Sequence, residues 1–277
     1  MHLPFIITWT ADPVLLELGP LQLRWYGLLF VAGFYIGYHI MKRIFRAEGA
    51  PEQHLDTLLL LTAGGTLLGA RLGHVFFYNW SYYQAHLLEI PMIWKGGLAS
   101  HGAAFGLFLA YWIFARFVIR RPVFWVTDRM SIPMALGGFF IRLGNLMNHE
   151  IVGLPSDLPW AFVFTRYSGE VFHVARHPVQ LYESLAYLGI FAFLFYRYWR
   201  AGDGHFPGRI SGWFLALLFG ARFVLEYFKT SQAHFDTGGL RMGQWLSLPL
   251  IALGLYWLWR SYASRPTQTR ENPSSPS

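Results

Sequence analysis

Seven long apolar blocks constrain this chain more than any other feature of its sequence. Each block is long enough to cross a bilayer, which takes about 20 apolar residues in a helix. The blocks lie at about residues 21–41, 55–79, 98–119, 124–144, 181–199, 210–228 and 242–259. Charged residues make up only 13% of the chain, against about 25% in a soluble domain. We therefore predict an all-α polytopic membrane protein with about seven transmembrane helices.

Two blocks carry residues that bear on how their helices form. The fourth block is the weakest because "TDRM" (Thr127–Met130) lies inside it. Charged groups are costly in a bilayer, so we expect this helix to start late or to lie partly at the interface. In the second block, Gly64, Gly65, Gly69 and Gly73 favour close packing against another helix.

The basic residues between the blocks predict an orientation, because Lys and Arg of short loops concentrate on the cytoplasmic side. Alternate connections together with the C-terminal tail hold 12 of the 22 Lys and Arg residues, whereas the opposite connections hold 5. We therefore place the N-terminus outside and the C-terminus in the cytoplasm. The N-terminal residues lack the pattern of a cleaved signal peptide, so we expect the first block to act as an uncleaved signal.

The domain organisation follows from the same pattern. We expect residues 1–262 to form one integral membrane domain. Its longest outer connection, at about residues 145–179, contains "WAFVF" (Trp160–Phe164) and is predicted to form a small periplasmic subdomain with short strands. Residues 263–277 are polar and rich in Pro and Ser, which predicts a disordered cytoplasmic tail.

With this orientation, the polar side chains of all seven blocks fall at the outer level of the membrane. They are Tyr26, Arg71, His74, His101, Arg142, Asn145, Gln180, Tyr182, Glu183, Arg222, Glu226 and Gln244. Ionisable groups inside a membrane usually face a cavity or a partner, and the inner halves of the blocks are apolar. The pattern predicts one water-accessible pocket in the outer leaflet.

Simpler explanations remain open for single residues. Arg24 and Tyr26 could extend towards the membrane interface. Arg222 and Glu226 are one helical turn apart and could form a structural ion pair. His101 alone would more often be a packing histidine, but its position between a serine and a glycine at the end of a block favours a functional role.

The chemistry of the predicted pocket points to a phosphate. Two arginines suit that group, because a guanidinium binds phosphate oxygens in pairs and stays charged. The nearest abundant phosphates are lipid head groups, so we expect an anionic phospholipid as ligand. The chain has no cysteine and shows neither an HExxH nor a GxSxG motif, so we expect no metal, no cofactor and no covalent enzyme intermediate. The positive net charge reflects membrane topology, and we expect no nucleic-acid partner.

Six ordered motifs between about Leu23 and Pro249 resemble the prolipoprotein diacylglyceryl transferase family. They are "RWYGLLF" (Arg24–Phe30), "GGLASHGA" (Gly96–Ala103), "RLGNLMNHEIVG" (Arg142–Gly153), "RHPVQLYES" (Arg176–Ser184), "ARFVLEYFK" (Ala221–Lys229) and "MGQWLSLP" (Met242–Pro249). Any one of them is weak evidence, but their number and order make the resemblance specific.

The resemblance implies two substrates in the bacterial inner membrane. One is phosphatidylglycerol, and the other is a prolipoprotein whose lipobox cysteine follows its signal peptide. The diacylglyceryl group moves to that thiol as a thioether, and glycerol phosphate leaves. A chain without cysteine fits this reaction, because the nucleophile belongs to the substrate.

The resemblance also suggests roles for residues. His101 is the candidate base, and Arg142 and Arg222 would hold the phosphate as charge develops on it. Glu226 could fix the position of Arg222. The residues expected to orient the head group and shape the pocket are Tyr26, Asn145, Glu150 and Gly153.

Two functions of other classes remain open at this point. An anionic phospholipid transporter or flippase would also place arginines in a membrane cavity, although it should carry polar residues along the whole path. A structural membrane protein would use the same residues as an ion-pair network.

Overall fold

The computed structural model describes residues 7–167, 174–230 and 239–263. Helices dominate these ranges: α1 (Trp25–Ala47), α2 (Leu55–Phe77), a short α3 (Trp80–Tyr83), α4 (Ser100–Ile113), α5 (Val123–Met147), α6 (Val179–Trp199), α7 (Arg209–Leu225) and α8 (Met242–Ala263). A π-helical turn, Phe114–Val118, extends α4. The strands are β1 (Ile7–Trp9), β2 (Val14–Leu18), β3 (Leu21–Arg24), β4 (Phe162–Phe164) and β5 (Ala175–Arg176).

Six helical segments of the described residues are long and apolar enough to cross a membrane, and they match the first six apolar blocks. The prediction of an all-α polytopic membrane protein is therefore confirmed. The seventh block forms α8, which has 22 residues and is less apolar because amide, hydroxyl and indole groups interrupt it. A count of seven spans thus stays a prediction.

The fourth block forms a helix from its start, so the expectation of a late start is wrong. Helix α5 begins at Val123, and Asp128 within it is fully buried. Its carboxylate accepts hydrogen bonds from the backbone N–H groups of Gly208 and Ser211, both at 2.8 Å, and from the Ser211 hydroxyl at 2.7 Å. The start of α7 has unpaired N–H groups that attract a carboxylate, which explains how α5 accommodates this charge.

The chain divides into two compact units, which we describe separately: the smaller unit is Tyr38–Thr127, and the main unit is Met1–Gly37 with Asp128–Ser277. In the smaller unit, α2 and α4 touch through backbone atoms. A Cβ on Gly69 would lie 2.3 Å from the Gly102 carbonyl oxygen, and one on Gly65 would lie 2.7 Å from that of Gly106. The predicted close packing is confirmed for Gly65, Gly69 and Gly73.

That prediction is wrong for Gly64, because no atom lies within 4 Å of the position that its Cβ would take. Arg71, in the second half of α2, is buried. It contacts the segment that connects α2 to α4. Its guanidinium donates to the carbonyl oxygens of Glu89 and Ile90, both at 2.7 Å, and to that of Gly96. Arg71 therefore holds a loop in place.

In the main unit, three short strands lie beside the end of α5. Strand β4 pairs with β1 in parallel and with β5 in antiparallel orientation. The core beneath them is formed by Leu146, Val152, Phe162 and Phe164, with Trp9, Leu143, Tyr167 and Leu181 packed against it. The short strands expected in residues 145–179 are thus present, but the sheet also needs β1 from the N-terminal region. The periplasmic position and the separate subdomain stay predictions.

The first four residues of the first apolar block are not helical. They form β3, which pairs with β2 in an antiparallel hairpin directly before α1. Arg24 is exposed at the end of this hairpin and donates to the Gln22 side chain at 3.3 Å. The proposed tail at residues 263–277 lies outside the described residues, apart from Ala263.

Candidate active site

The turn that follows α5 gathers amide side chains around Glu150. Its carboxylate oxygen Oε1 accepts hydrogen bonds from Asn145 at 2.8 Å and from Asn148 at 3.2 Å. Gln180, fully buried in the first turn of α6, donates to the backbone oxygen of Glu150 at 2.7 Å. Glu150 itself is exposed, so its second carboxylate oxygen can meet a ligand while the first is held in place.

The backbone on both sides of Glu150 is left-handed. His149 has a φ of 54° and Ile151 a φ of 57°, a conformation that costs a residue with a side chain about 1 kcal/mol or more. The His149 ring is buried and donates from Nε2 to the Ala11 carbonyl oxygen at 2.8 Å. Such geometry persists only where the surroundings enforce it, so this turn is firmly held.

Arg142, in the penultimate turn of α5, is held on more than one edge of its guanidinium. Its Nε lies 2.9 Å from Oε2 of Glu183, a carboxylate that is 0% exposed. One terminal nitrogen donates to the Asn145 side chain at 3.1 Å, and the charge of Arg142 also acts on the Tyr187 hydroxyl. The side chain of Arg142 is 15% exposed. Its orientation is thus fixed by residues of α5 and α6 together.

Tyr26, in the first turn of α1, faces the same turn. Its ring packs on Gly144 so closely that a Cβ there would lie 2.6 Å from the Tyr26 Cδ2 atom. The charges of Glu150 and Arg142 both act on the Tyr26 hydroxyl. The ring therefore lies beside the predicted head-group residues, and its role in binding stays a prediction.

Gly153 ends the turn and permits a close backbone crossing. Its N–H donates to the His177 carbonyl oxygen at 3.0 Å, and it forms an isolated antiparallel bridge with Lys229. A Cβ on Gly153 would lie 2.5 Å from that same carbonyl oxygen and 2.6 Å from a methyl group of Val179. A larger residue would displace the chain here, so Gly153 shapes this region through the backbone.

Lys229 lies between two carboxylates. Its Nζ is 2.7 Å from Oε1 of Glu183 and 3.3 Å from Oε2 of Glu226, and its side chain is only 6% exposed. Because Glu183 also contacts Arg142, an unbroken series of ion pairs runs from α5 through α6 to the end of α7. In this series two cations neutralise two carboxylates.

Arg222 differs from its neighbours in having no such partner. It is half-buried in the last turn of α7, and across residues 7–167, 174–230 and 239–263 no hydrogen bond or ion pair to it is formed. Its charge acts on the Tyr187 hydroxyl, as does that of Arg142. The charges of the two predicted phosphate-binding arginines therefore act on the same hydroxyl group.

The expected contact between Arg222 and Glu226 is wrong. Helix α7 ends at Leu225 and a 3-10 turn (Glu226–Phe228) follows, but the backbone N–H of Glu226 still donates to the Arg222 carbonyl oxygen, so the two residues remain one helical turn apart. The carboxylate of Glu226 is instead paired with Lys229. Glu226 therefore does not fix the position of Arg222.

His101 belongs to the smaller unit. It is exposed in the first turn of α4, and its Nε2 lies 2.8 Å from the hydroxyl of Tyr78 at the end of α2. The two rings meet edge to face with centroids 5.8 Å apart. This hydroxyl orients the imidazole and leaves the other ring nitrogen available for chemistry.

In the main unit, the arrangement suits an anion. Arg142 is fixed and Arg222 has no partner in the part of the chain that the structure describes, while neutral amide and hydroxyl groups lie near Arg142 to orient a polar ligand. Among the described residues, no group of three His, Asp or Glu side chains is placed to hold a metal ion.

Comparison with known proteins identifies the family of this chain. The family model described as prolipoprotein diacylglyceryl transferase matches residues 13–260. The chain belongs to this family. The resemblance of its six motifs is thereby confirmed.

Relatives in the family align over nearly their whole length. A phosphatidylglycerol–prolipoprotein diacylglyceryl transferase of Tolumonas auensis is 47% identical over 90% of this chain and 95% of its own. The proteins of the same name from Chloroherpeton thalassium and Porphyromonas gingivalis are 44% and 41% identical, over 92% and 97% of this chain and 94% and 99% of their own. The family assignment therefore covers every predicted site residue.

Sequence reasoning missed the roles of Glu183, Lys229 and Tyr187. Glu183 and Lys229 stand in two of the family motifs, and a buried charge in an apolar block is itself a signal. Their pairing joins residues 46 positions apart, which no local pattern reveals. Tyr187 gave no signal, since a tyrosine inside a transmembrane block is unremarkable by composition.

Proposed function

We propose that this chain transfers the diacylglyceryl group of phosphatidylglycerol to the lipobox cysteine of a prolipoprotein. The thiol sulfur forms a bond to the glyceryl carbon, the bond from that carbon to the phosphate oxygen breaks, and glycerol phosphate leaves. The thiol proton passes to a base. The observation that carries the proposal is a guanidinium, Arg222, that has no hydrogen-bond or ion-pair partner among the described residues, in the same compact unit as the fixed guanidinium of Arg142, in a member of this family.

The two arginines act on the leaving phosphate. Negative charge grows on the phosphate oxygens as the bond to carbon breaks, and donors already in place stabilise that charge without reorganising. Arg142 is in place because Glu183 and Asn145 hold it. Among the described residues, Arg222 has no carboxylate to leave before it can bind the phosphate.

The thiol needs a base, because a thiol with a pKa of about 8.5 reacts as the thiolate. His101 is the proposed base. When the Tyr78 hydroxyl accepts a hydrogen bond from Nε2 of His101, the lone pair falls on Nδ1 and can take the thiol proton. The side chain of His101 is exposed, as a group that must meet a peptide substrate should be.

The remaining predicted residues would position the glycerol head group. Glu150 offers a carboxylate oxygen that can accept a hydrogen bond from a head-group hydroxyl, and Asn145 links Glu150 to Arg142. Tyr26 adds a hydroxyl beside both charges, and Gly153 keeps the turn close to α6. We place this site at the periplasmic level of the bacterial inner membrane, with the C-terminus in the cytoplasm.

The test is a reconstituted reaction. Purified chain, phosphatidylglycerol vesicles and a lipobox peptide are mixed, and the thioether product is sought by mass spectrometry. The same peptide with serine in place of cysteine is the substrate control. Because the chain has no cysteine, every free thiol belongs to the peptide, and thiol loss can be followed without background.

A matched pair of variants separates the site from general effects of charge. Arg142→Lys should lose most product, whereas Arg166→Lys should not, because Arg166 forms an exposed ion pair with Asp12. No thioether, together with movement of labelled lipid across the vesicle membrane, would instead identify a lipid transporter.

A further inference from the structure

The spacing of Arg222 and Glu226 should place opposite charges together. Residues four apart on a helix are neighbours, and such pairs form readily. Here the backbone N–H of Glu226 donates to the Arg222 carbonyl oxygen, as in a helical turn, yet the Glu226 carboxylate pairs with Lys229 and not with Arg222. Some feature of the fold must therefore hold the Glu226 carboxylate away from the nearest arginine in sequence.

Two contacts account for the position of the Glu226 carboxylate. One is the Lys229 ammonium, with Nζ 3.3 Å from Oε2. The other is the space left by Gly243 in the first turn of α8, where a Cβ would lie 2.5 Å from Oε1 of Glu226. The partial positive charge at the start of a helix favours a carboxylate at this place. Of the two contacts, the ion pair with Lys229 is the one that neutralises the charge.

Lys229 is itself firmly held. Its ammonium also contacts Glu183 at 2.7 Å, and its backbone oxygen and that of Glu226 both accept hydrogen bonds from Arg241. Because its side chain is almost fully buried between two carboxylates, Lys229 is poorly placed to bind a lipid phosphate directly. Its effect on Arg222 must then be indirect.

We propose that Lys229 is a positioning residue that keeps Glu226 away from Arg222 and so leaves the Arg222 guanidinium free for the lipid phosphate. This inference rests on the proposed function. A phosphate that approaches Arg222 does not compete with the Glu226 carboxylate, because Lys229 has already neutralised that carboxylate. Without the ammonium, Arg222 becomes the nearest cation in sequence to Glu226.

The first variant is Lys229→Met, which keeps the length of the side chain and removes its charge. Binding of soluble dihexanoyl phosphatidylglycerol is measured by titration calorimetry, so the readout does not depend on transfer. A hydrogen bond to a charged group corresponds to roughly a 10- to 100-fold change in affinity. We expect weakening of this size, whereas Lys229→Arg keeps the charge and should bind nearly as wild type does.

The decisive variant is the double substitution Lys229→Met with Glu226→Gln. It removes one cation and one carboxylate together and leaves Glu183 paired with Arg142, so it avoids an unpaired buried charge. We expect its affinity to return to within about threefold of wild type, a range that corresponds to less than one hydrogen bond to a charged group. Lys42→Met, which disturbs a contact of 3.8 Å with Glu52, is the matched control and should have no effect.

Three outcomes would overturn the inference. Weak binding by a well-folded double variant would mean that Lys229 binds the phosphate itself. Undiminished binding by Lys229→Met would mean that Glu226 does not compete for Arg222. Absence of lipid binding by wild type would remove the role of Arg222 altogether. If wild type binds the lipid but forms no thioether, the proposed function fails while the inference on Lys229 can still hold.

Discussion

Two glycines of α2 should respond in opposite directions to the same substitution. At Gly64 a Cβ meets no atom within 4 Å, whereas at Gly69 it would lie 2.3 Å from the Gly102 carbonyl oxygen and 2.8 Å from the Gly106 Cα. The atoms met at Gly69 belong to the backbone of α4, so no side chain can rotate away. Gly69→Ala can be accommodated only if α2 and α4 move apart.

The expected magnitudes follow from this geometry. Alanine is favoured over glycine inside a helix by about 1 kcal/mol, and Gly64→Ala should gain close to that amount. Overpacking costs about 3 kcal/mol at the severe end of its usual range, so Gly69→Ala should lose about 2 kcal/mol after the same gain. At roughly 2–4 °C per kcal/mol, the unfolding temperatures of the two variants should differ by about 6–12 °C.

Tryptophan fluorescence can follow thermal unfolding in detergent, since the chain has 12 tryptophans. Both variants are compared with wild type in one detergent and at one pH. The reasoning would be refuted if Gly69→Ala unfolded at or above the wild-type temperature, or if Gly64→Ala were destabilised as much as Gly69→Ala.

Three further predictions concern the site. Arg142→Lys should lower kcat/KM by roughly 100-fold, because a single ammonium cannot replace a guanidinium that is held by a carboxylate and an amide while it binds phosphate; a loss below threefold in the thioether assay would contradict this role. His101→Ala should lower turnover by about 10²-fold or more, and near-normal turnover across about pH 6–9, the range around the thiol pKa, would rule it out as the base. Burial lowers the pKa of His177, so the folded chain binds this proton less readily than the unfolded chain does, and stability should fall as pH drops below about 6.5. The unfolding temperature of wild type should therefore decrease more between pH 7.5 and 5.5 than that of His177→Gln, and equal decreases would show that His177 does not contribute.

The helices could be predicted because a bilayer leaves a chain few choices. Each span must be apolar for about 20 residues and must satisfy its own backbone hydrogen bonds, so six apolar blocks correspond to six membrane-length helices. The spacing of Gly65, Gly69 and Gly73 likewise predicted a packed face, because residues four apart recur on one side of a helix. Gly64 lies outside this four-residue spacing, so its inclusion among the predicted packing glycines was an error.

The details of the site could not be predicted, because they depend on contacts between distant parts of the chain. Spacing alone suggested a pair between Arg222 and Glu226, but the Glu226 carboxylate pairs with Lys229, three residues further along the chain, and spacing cannot tell which of two neighbouring cations it meets. Asp128 looked like an obstacle to helix formation until its partners at the start of α7, some 80 residues away, were known. In both cases the sequence gives the charge but not its partner.

The left-handed residues on either side of Glu150 have a consequence for engineering. Glycine at position 151 would adopt this backbone without steric conflict, and a search for more heat-resistant forms would tend to select it. At position 149 glycine would instead remove the buried imidazole that donates to the Ala11 carbonyl oxygen. The change at position 151 would return rotational freedom to the exposed Glu150 carboxylate, whose Oε1 is now held by two amides. Heat resistance and turnover should then move in opposite directions at position 151, so a thermally improved transferase is better sought elsewhere in the chain.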